Sequence, residues 1–90
     1  MKFEYDPRKS VANESKHGIN FEQAREIWDD PGAIKIEGNA QNEKRDLAVG
    51  KIGDKFWTVV WTQRGENIRI ISVRRARNKE IKSYEENDRS

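Results

Sequence analysis

The stretch KFWTVVWTQRGENIRIISVRR, residues 55–75, decides the fold. Two runs rich in β-branched and aromatic residues flank Gly65-Glu66. Such side chains suit a pleated, half-buried surface, so each run reads as a strand. Glycine at the first central position of a two-residue loop suits a type II′ turn. The stretch is therefore predicted to be a hairpin, Lys55–Gln63 against Asn67–Arg75. With Arg64 opposite Asn67, regular alternation places Trp61 opposite Ile70, Val59 opposite Ser72 and Trp57 opposite Arg74. Those six side chains then share one surface. The other surface carries Phe56, Thr58, Val60, Thr62, Arg69, Ile71, Val73 and Arg75. Neither surface is purely polar, so each needs a partial cover. A slip of one residue would exchange them.

Working outward, Asp46–Ile52 and Ala33–Glu37 read as two further strands, with Gly53-Asp54 a tight turn and Gly38–Asn42 a loop. Before them lie two helices. Asp6-Pro7 is a helix start, with Asp6 as N-cap, and Gly18 is a left-handed C-cap. Asn20 with Gln23 three residues on forms a capping-box pattern, and Phe21, Ala24, Ile27 and Trp28 fall on one face of the second helix. A last helix, from about Asn78 to Glu86, presents Ile81 and Tyr84. The expected class is α+β: an antiparallel β-meander of about four strands, with two N-terminal helices and one C-terminal helix. Lys2–Tyr5 could add a short strand.

The 90 residues make one domain, 1–90, and 38% of them are charged, so the core is small. The chain has no cysteine and one histidine, His17, which argues against disulfides and zinc and leaves no metal or cofactor to expect. It lacks an apolar leader or spanning segment, so a cytoplasmic protein with no membrane association is expected. The net charge of +2 hides an asymmetry. From Arg64 to Lys82, seven basic side chains face Glu66 and Glu80, a net of +5. Such a patch attracts phosphates or an acidic protein, and it is also what the solvated face of a charged small protein looks like.

The pairing of Trp57 with Arg74 has two readings. A cation–π pair would serve stability alone. Alternatively, Trp57 and Trp61 offer stacking planes for bases while Arg74 holds a phosphate, the combination that grips single-stranded nucleic acid.

Two longer stretches now carry a resemblance. FEYDPRKSVANESKHGINFEQAREIWDDP, residues 3–31, and RGENIRIISVRRARNKEIKSYE, residues 64–85, resemble the BrnT family of toxins from bacterial type II toxin–antitoxin modules. Glu43, Arg45 and Gly50 match an element between them. Tyr5 stands where the family has tryptophan, and Val73 where it has alanine. Arg77 stands where the family has threonine, so the last helix is expected to take its cap from Asn78 or else to start differently. The resemblance implies a RelE-like fold and an endoribonuclease. It further implies a BrnA-like antitoxin, with operator DNA bound through that antitoxin.

Ribonucleases of that fold class need no metal: the ribose 2′-OH attacks the adjacent phosphate, leaving a 2′,3′-cyclic phosphate and a 5′-OH. This chemistry requires a base, positive charge at the developing phosphorane and an acid. Arginine's planar fork can hold two phosphate oxygens, so Arg74 is the first candidate, followed by Arg64, Arg69 and Arg45. The acid–base candidates are His17, Glu43, Glu80 and Tyr84. Histidine is the residue type whose ordinary pKa lies near neutrality, which makes His17 the obvious choice, though a histidine at a helix C-terminus also suits the dipole. Glu43 reads equally as a loop carboxylate, Glu80 as a first-turn carboxylate and Tyr84 as core packing. Ser72 could orient a phosphate oxygen. Lys16, Lys51, Arg75, Arg77 and Lys79 would steer RNA by charge. A non-catalytic RNA- or protein-binding module of the same fold is the competing hypothesis.

Overall fold

A computed structural model describes residues 2–38 and 44–87. In chain order it contains β1 (Lys2–Glu4), α1 (Pro7–His17), α2 (Phe21–Ala24), a 3-10 turn (Arg25–Asp29), β2 (Ile34–Ile36), β3 (Asp46–Ile52), β4 (Lys55–Arg64), β5 (Asn67–Arg75) and α3 (Asn78–Asn87). The hairpin of β4 and β5 is as expected. Gly65 has a φ of 59°, and among the described residues no non-glycine residue has a positive φ, which matches the type II′ pattern.

The register departs from expectation halfway along. Arg64↔Asn67, Thr62↔Arg69 and Trp61↔Ile70 pair regularly. Beyond Trp61 the ladder shifts, giving Val60↔Ser72, Val59↔Val73, Thr58↔Arg74 and Trp57↔Arg75, with Ile71 as the extra residue of a β-bulge. The expected pairs Val59–Ser72 and Trp57–Arg74 do not form. Burial explains why. Ile68, Ile70 and Val73 are all buried, at 4%, 2% and 0% exposure, yet their spacing is two and then three residues. Strict alternation cannot put all three on one side; one extra residue can.

The bulge re-sorts the faces. Trp57, Val59, Trp61, Ile68, Ile70 and Val73 join one core with Phe21, Ala24 and Ile27. Thr58, Val60 and Thr62 share the opposite face with Arg69, Ser72 and Arg74. Trp57 and Trp61 thus lie opposite Ser72 and Arg74 rather than beside them.

The sheet is also wider than a four-strand meander. It is a mixed five-stranded sheet in the order β1-β5-β4-β3-β2. β1 runs parallel to β5, with Phe3 beside Ile68 and Glu4 beside Arg69, while the other pairs are antiparallel. Phe3 holds this edge by packing edge-on against Trp28 at 5.1 Å. A three-residue strand is too short to show periodicity, so its partner was not legible.

Helix α1 begins and ends as its caps predict. The Asp6 side chain accepts from the Arg8 N–H at 2.9 Å, and Gly18 is left-handed at φ 81°. Its buried residues are polar, and they dock it. The Asn13 Nδ2 donates to the Ile19 and Val73 carbonyls at 2.8 and 2.9 Å, and the Val73 N–H donates back to Oδ1 at 3.2 Å. Because β1 pairs only as far as Arg69, Asn13 supplies Val73 with the bonds an absent strand would make. The Asn20–Gln23 capping box is present in both directions. The second helix is shorter than expected: after Ala24 it tightens to 3-10, with Phe21, Ala24 and Ile27 buried.

Candidate functional site

Helix α3 lies on the sheet face opposite the tryptophans, and its first turn meets Arg74. The Glu80 carboxylate forms a two-point pair with this arginine: Nη1 donates to Oε1 at 2.9 Å and Nη2 to Oε2 at 2.8 Å. Oε1 also accepts from the Thr58 hydroxyl at 2.9 Å and from the Arg77 N–H at 2.8 Å. Thr58 is fully buried and stands directly across the ladder from Arg74.

The helix starts at Asn78 as expected, but these bonds correct its cap. Asn78 is the first helical residue and not the cap; Arg77 occupies the cap position, with its carbonyl accepting from the Ile81 N–H at 2.9 Å. Threonine's half of a capping box is gone, but the other half persists, because Glu80 at the third helical position reaches back to the Arg77 N–H. The departure at Arg77 therefore leaves Glu80 in place.

The electrostatics follow from the contacts. The Arg74 hydrogen bonds hold the Glu80 carboxyl down at about 2 against the opposing effect of burial, with help from the Arg77 N–H, the Thr58 hydroxyl and the Arg74 charge. The same pairing raises Arg74 above its ordinary value. Glu80 is thus ionised at any physiological pH and is a poor proton donor.

A guanidinium has five N–H donors. Arg74 uses two Nη1 hydrogens, on Glu80 and on the Arg75 carbonyl, and one on Nη2. The Nε–H and the second Nη2 hydrogen form a side-on fork that no described residue engages. With its side chain 21% exposed, Arg74 is clamped on one side and open on the other. That arrangement suits a phosphate, which takes two parallel N–H bonds from an arginine.

Along β5, the neighbours of Arg74 on this face are cationic or polar. Ser72 lies opposite Val60, Arg69 opposite Thr62, and Arg64 opposite Asn67 at the turn. Arg69 is steadied by Glu4 at 3.5 Å. Without the bulge Arg69 would sit on the other side of the sheet from Arg74; with it, the three arginines and Ser72 share one face.

Tyr84 follows Glu80 by one helical turn. Its hydroxyl donates to Asp30 Oδ2 at 3.0 Å, and its ring stands edge-on to Phe56 at 5.3 Å. Asp30 also accepts from the Lys51 N–H at 2.8 Å and the Gly32 N–H at 2.9 Å. Burial raises the Asp30 carboxyl, but these three donors outweigh it and leave it below its ordinary value. Asp30 fastens α3 to the end of the 3-10 turn and to β3.

Other expected site residues lie elsewhere. Trp57 and Trp61 are core residues at 8% exposure each, and neither offers a free stacking plane. The exposed Arg75 covers the Trp57 ring at 5.4 Å, so the cation–π pair exists, but with Arg75 in place of Arg74. His17 closes α1, half-buried, and no described bond joins it to Arg74. Lys16, Arg45, Lys51, Arg77 and Lys79 are exposed. Glu43 falls outside the described residues. Thr58 and Asp30 were missed: Thr58 becomes visible only once the bulge sets it across from Arg74, and Asp30 read as a turn residue.

Among the described residues, no three histidine, cysteine or acidic side chains gather to hold a metal ion, and no helix is long and apolar enough to cross a membrane. A comparison with curated proteins finds no match. A family model described as the ribonuclease toxin BrnT of type II toxin–antitoxin systems matches residues 5–80, across α1, strands β2 to β5 and the Arg74–Glu80 pair, and the chain belongs to that family.

Proposed function

We propose that this protein is a metal-independent endoribonuclease toxin, acting in the cytoplasm, that cleaves RNA by attack of the ribose 2′-OH on the adjacent phosphate. The observation that carries this reading is Arg74, held at two points by a buried carboxylate and presenting an open fork on a face that also bears Arg64, Arg69 and Ser72. A donor fixed in advance stabilises charge without reorganising when the phosphorane forms. The substrate supplies the nucleophile, so the protein's tasks are orientation, charge and proton transfer.

Glu80 serves as the anchor of Arg74 and not as the acid or base, because its carboxyl is held down at about 2 and it already accepts four hydrogen bonds. Proton transfer falls to His17, Glu43 or Tyr84. Of these, Tyr84 stands on the same helix as Glu80, bonded to Asp30. Arg45, Lys51, Arg77 and Lys79 draw RNA toward the face by charge. A BrnA-like antitoxin covers this cationic surface and carries the pair to operator DNA.

The deciding experiment incubates purified protein with single-stranded RNA in excess EDTA. Cleavage leaving 2′,3′-cyclic phosphate ends, abolished in Arg74→Ala, is the expected result. RNA bound but uncut would instead favour the non-catalytic module, a reading to which the fully engaged Glu80 carboxylate lends weight.

A further inference from the structure

A groove beside the Arg74–Glu80 pair has no role in the proposed chemistry. It has a volume of about 410 Å³ and lies between the start of α3 and the strands β2 and β3. Ile36 and Leu47 line it from the sheet, and Asn78, Lys79 and Arg77 from the helix. Glu80 belongs both to this groove and to the Arg74 clamp.

The register shows how the groove connects to the arginine face. Ser72 pairs with Val60, Val60 with Leu47, and Leu47 with Ile36. These four side chains form one row across β5, β4, β3 and β2 on the face that carries Arg74. At about 4.8 Å between strands the row spans about 14 Å. Val60, Leu47 and Ile36 are half-buried aliphatics. The row is thus an apolar track that leaves the arginines at Ser72 and ends in the groove.

We infer that the groove holds one nucleobase of the RNA strand, next to the phosphate gripped by Arg74, so that cleavage depends on base identity at that position. This rests on the ribonuclease reading. The flat face of a base lies on Ile36 and Leu47, and the volume falls within the range of small-ligand pockets, about 300–1,000 Å³. Exposed Arg77 and Lys79 at the rim are suited to the next phosphate. Asn78 is the base reader, because its amide offers both a donor and an acceptor. Ser83 lines the groove too, but its hydroxyl already donates to the Lys79 carbonyl at 3.1 Å.

The test uses a pool of single-stranded RNA with randomised sequence, read twice: once by sequencing the cut ends and once by selecting bound molecules on filters. The wild type is expected to favour certain bases at one position beside the cut. Asn78→Ala should flatten that preference about tenfold, and Ser83→Tyr, which fills the groove, should lower cleavage at favoured sites by at least tenfold. Both residues are exposed, so folding is not at stake. An unchanged preference in both variants overturns the inference. So does a loss of antitoxin binding with base preference intact, which would assign the groove to the antitoxin. If the wild type cuts nothing, the ribonuclease reading fails, and the base preference among bound molecules still decides the groove.

Discussion

Replacing Glu80 by glutamine should cost stability in a way that disappears in acid. The carboxyl is held at about 2 in the folded protein, against an ordinary value of 4.5. At 1.36 kcal/mol per unit, that gap corresponds to about 3 kcal/mol of stabilisation at neutral pH. The side chains of Glu80 and Arg74 are 9% and 21% exposed, so solvent screens the pair little. Because the folded value is depressed, the stabilisation is fully present above the unfolded value and is lost as pH falls through the folded one. About half of it should be gone by about pH 3. Glutamine removes this term, which already includes the loss of Arg74's counter-charge. The assay is the urea midpoint of wild type and Glu80→Gln, measured from about pH 7 to about pH 2.5. With a slope of about 1 kcal/mol per molar for a chain of this size, the midpoints should differ by about 2–3 M at neutral pH and converge in acid. Other carboxylates titrate in both proteins, so they cancel in the difference. A gap that stays constant from neutral pH to about pH 2.5 would refute the assignment of the stabilisation to an ionised Glu80.

Thr58→Val keeps the shape of a fully buried side chain but removes a donor to Glu80; it should lower stability by about 1–2 kcal/mol and slow RNA cleavage, with Thr58→Ser recovering both in thermal melts and rate assays. Arg74→Lys retains the charge but cannot form the fork, so cleavage should fall about a hundredfold or more while melting shifts less than in Arg74→Ala. Lys79→Ala should reduce the slope of log affinity against log salt by about 0.7 for single-stranded RNA, with no change in folding. Deleting Ile71 should leave the pairs Trp61↔Ile70 and Val60↔Ser72 intact and the chain folded, since it converts the bulge to a regular ladder. Its loss should appear in cleavage, because a bulge re-aims the side chains that follow it.

Much of the scaffold was legible because the chain signals it locally. The caps at Asp6 and Gly18, the Asn20–Gln23 box, the turn at Gly65 and the bounds of β3 and β5 depend on residues within a few positions of one another. The faces of the hairpin were not. Simple alternation from the turn misses the extra residue, whose signal is the spacing from Ile70 to Val73, and that spacing is meaningful only if both must be buried. The site inherited this error. Alternation from the turn sets Arg74 beside Trp57, which instead belongs to the core on the other side of the sheet. Arg74's real partners, Thr58 and Glu80, lie 16 residues before and six residues after it in the chain. No periodicity joins them; only the bulge and the helix crossing the sheet do.

The Arg74–Glu80 pair is hard to justify by stability alone. Removing two charges from water costs several kcal/mol, and apolar side chains of similar volume often do as well or better in such places. The surroundings would accept them, since Val49 and Thr58 nearby are fully buried and Val60 and Leu47 are half-buried aliphatics. What an apolar pair cannot provide is a guanidinium fixed in one attitude with two hydrogens left over. Glu80 accepts four hydrogen bonds, two from Arg74, one from Thr58 and one from the helix start at Arg77. Each holds the carboxylate, and the carboxylate in turn holds the arginine. Had the aim been only to neutralise Arg74, a single exposed contact would have served. The number of anchors, and their burial, is what a site requires when its charge must already be in position before the phosphate arrives.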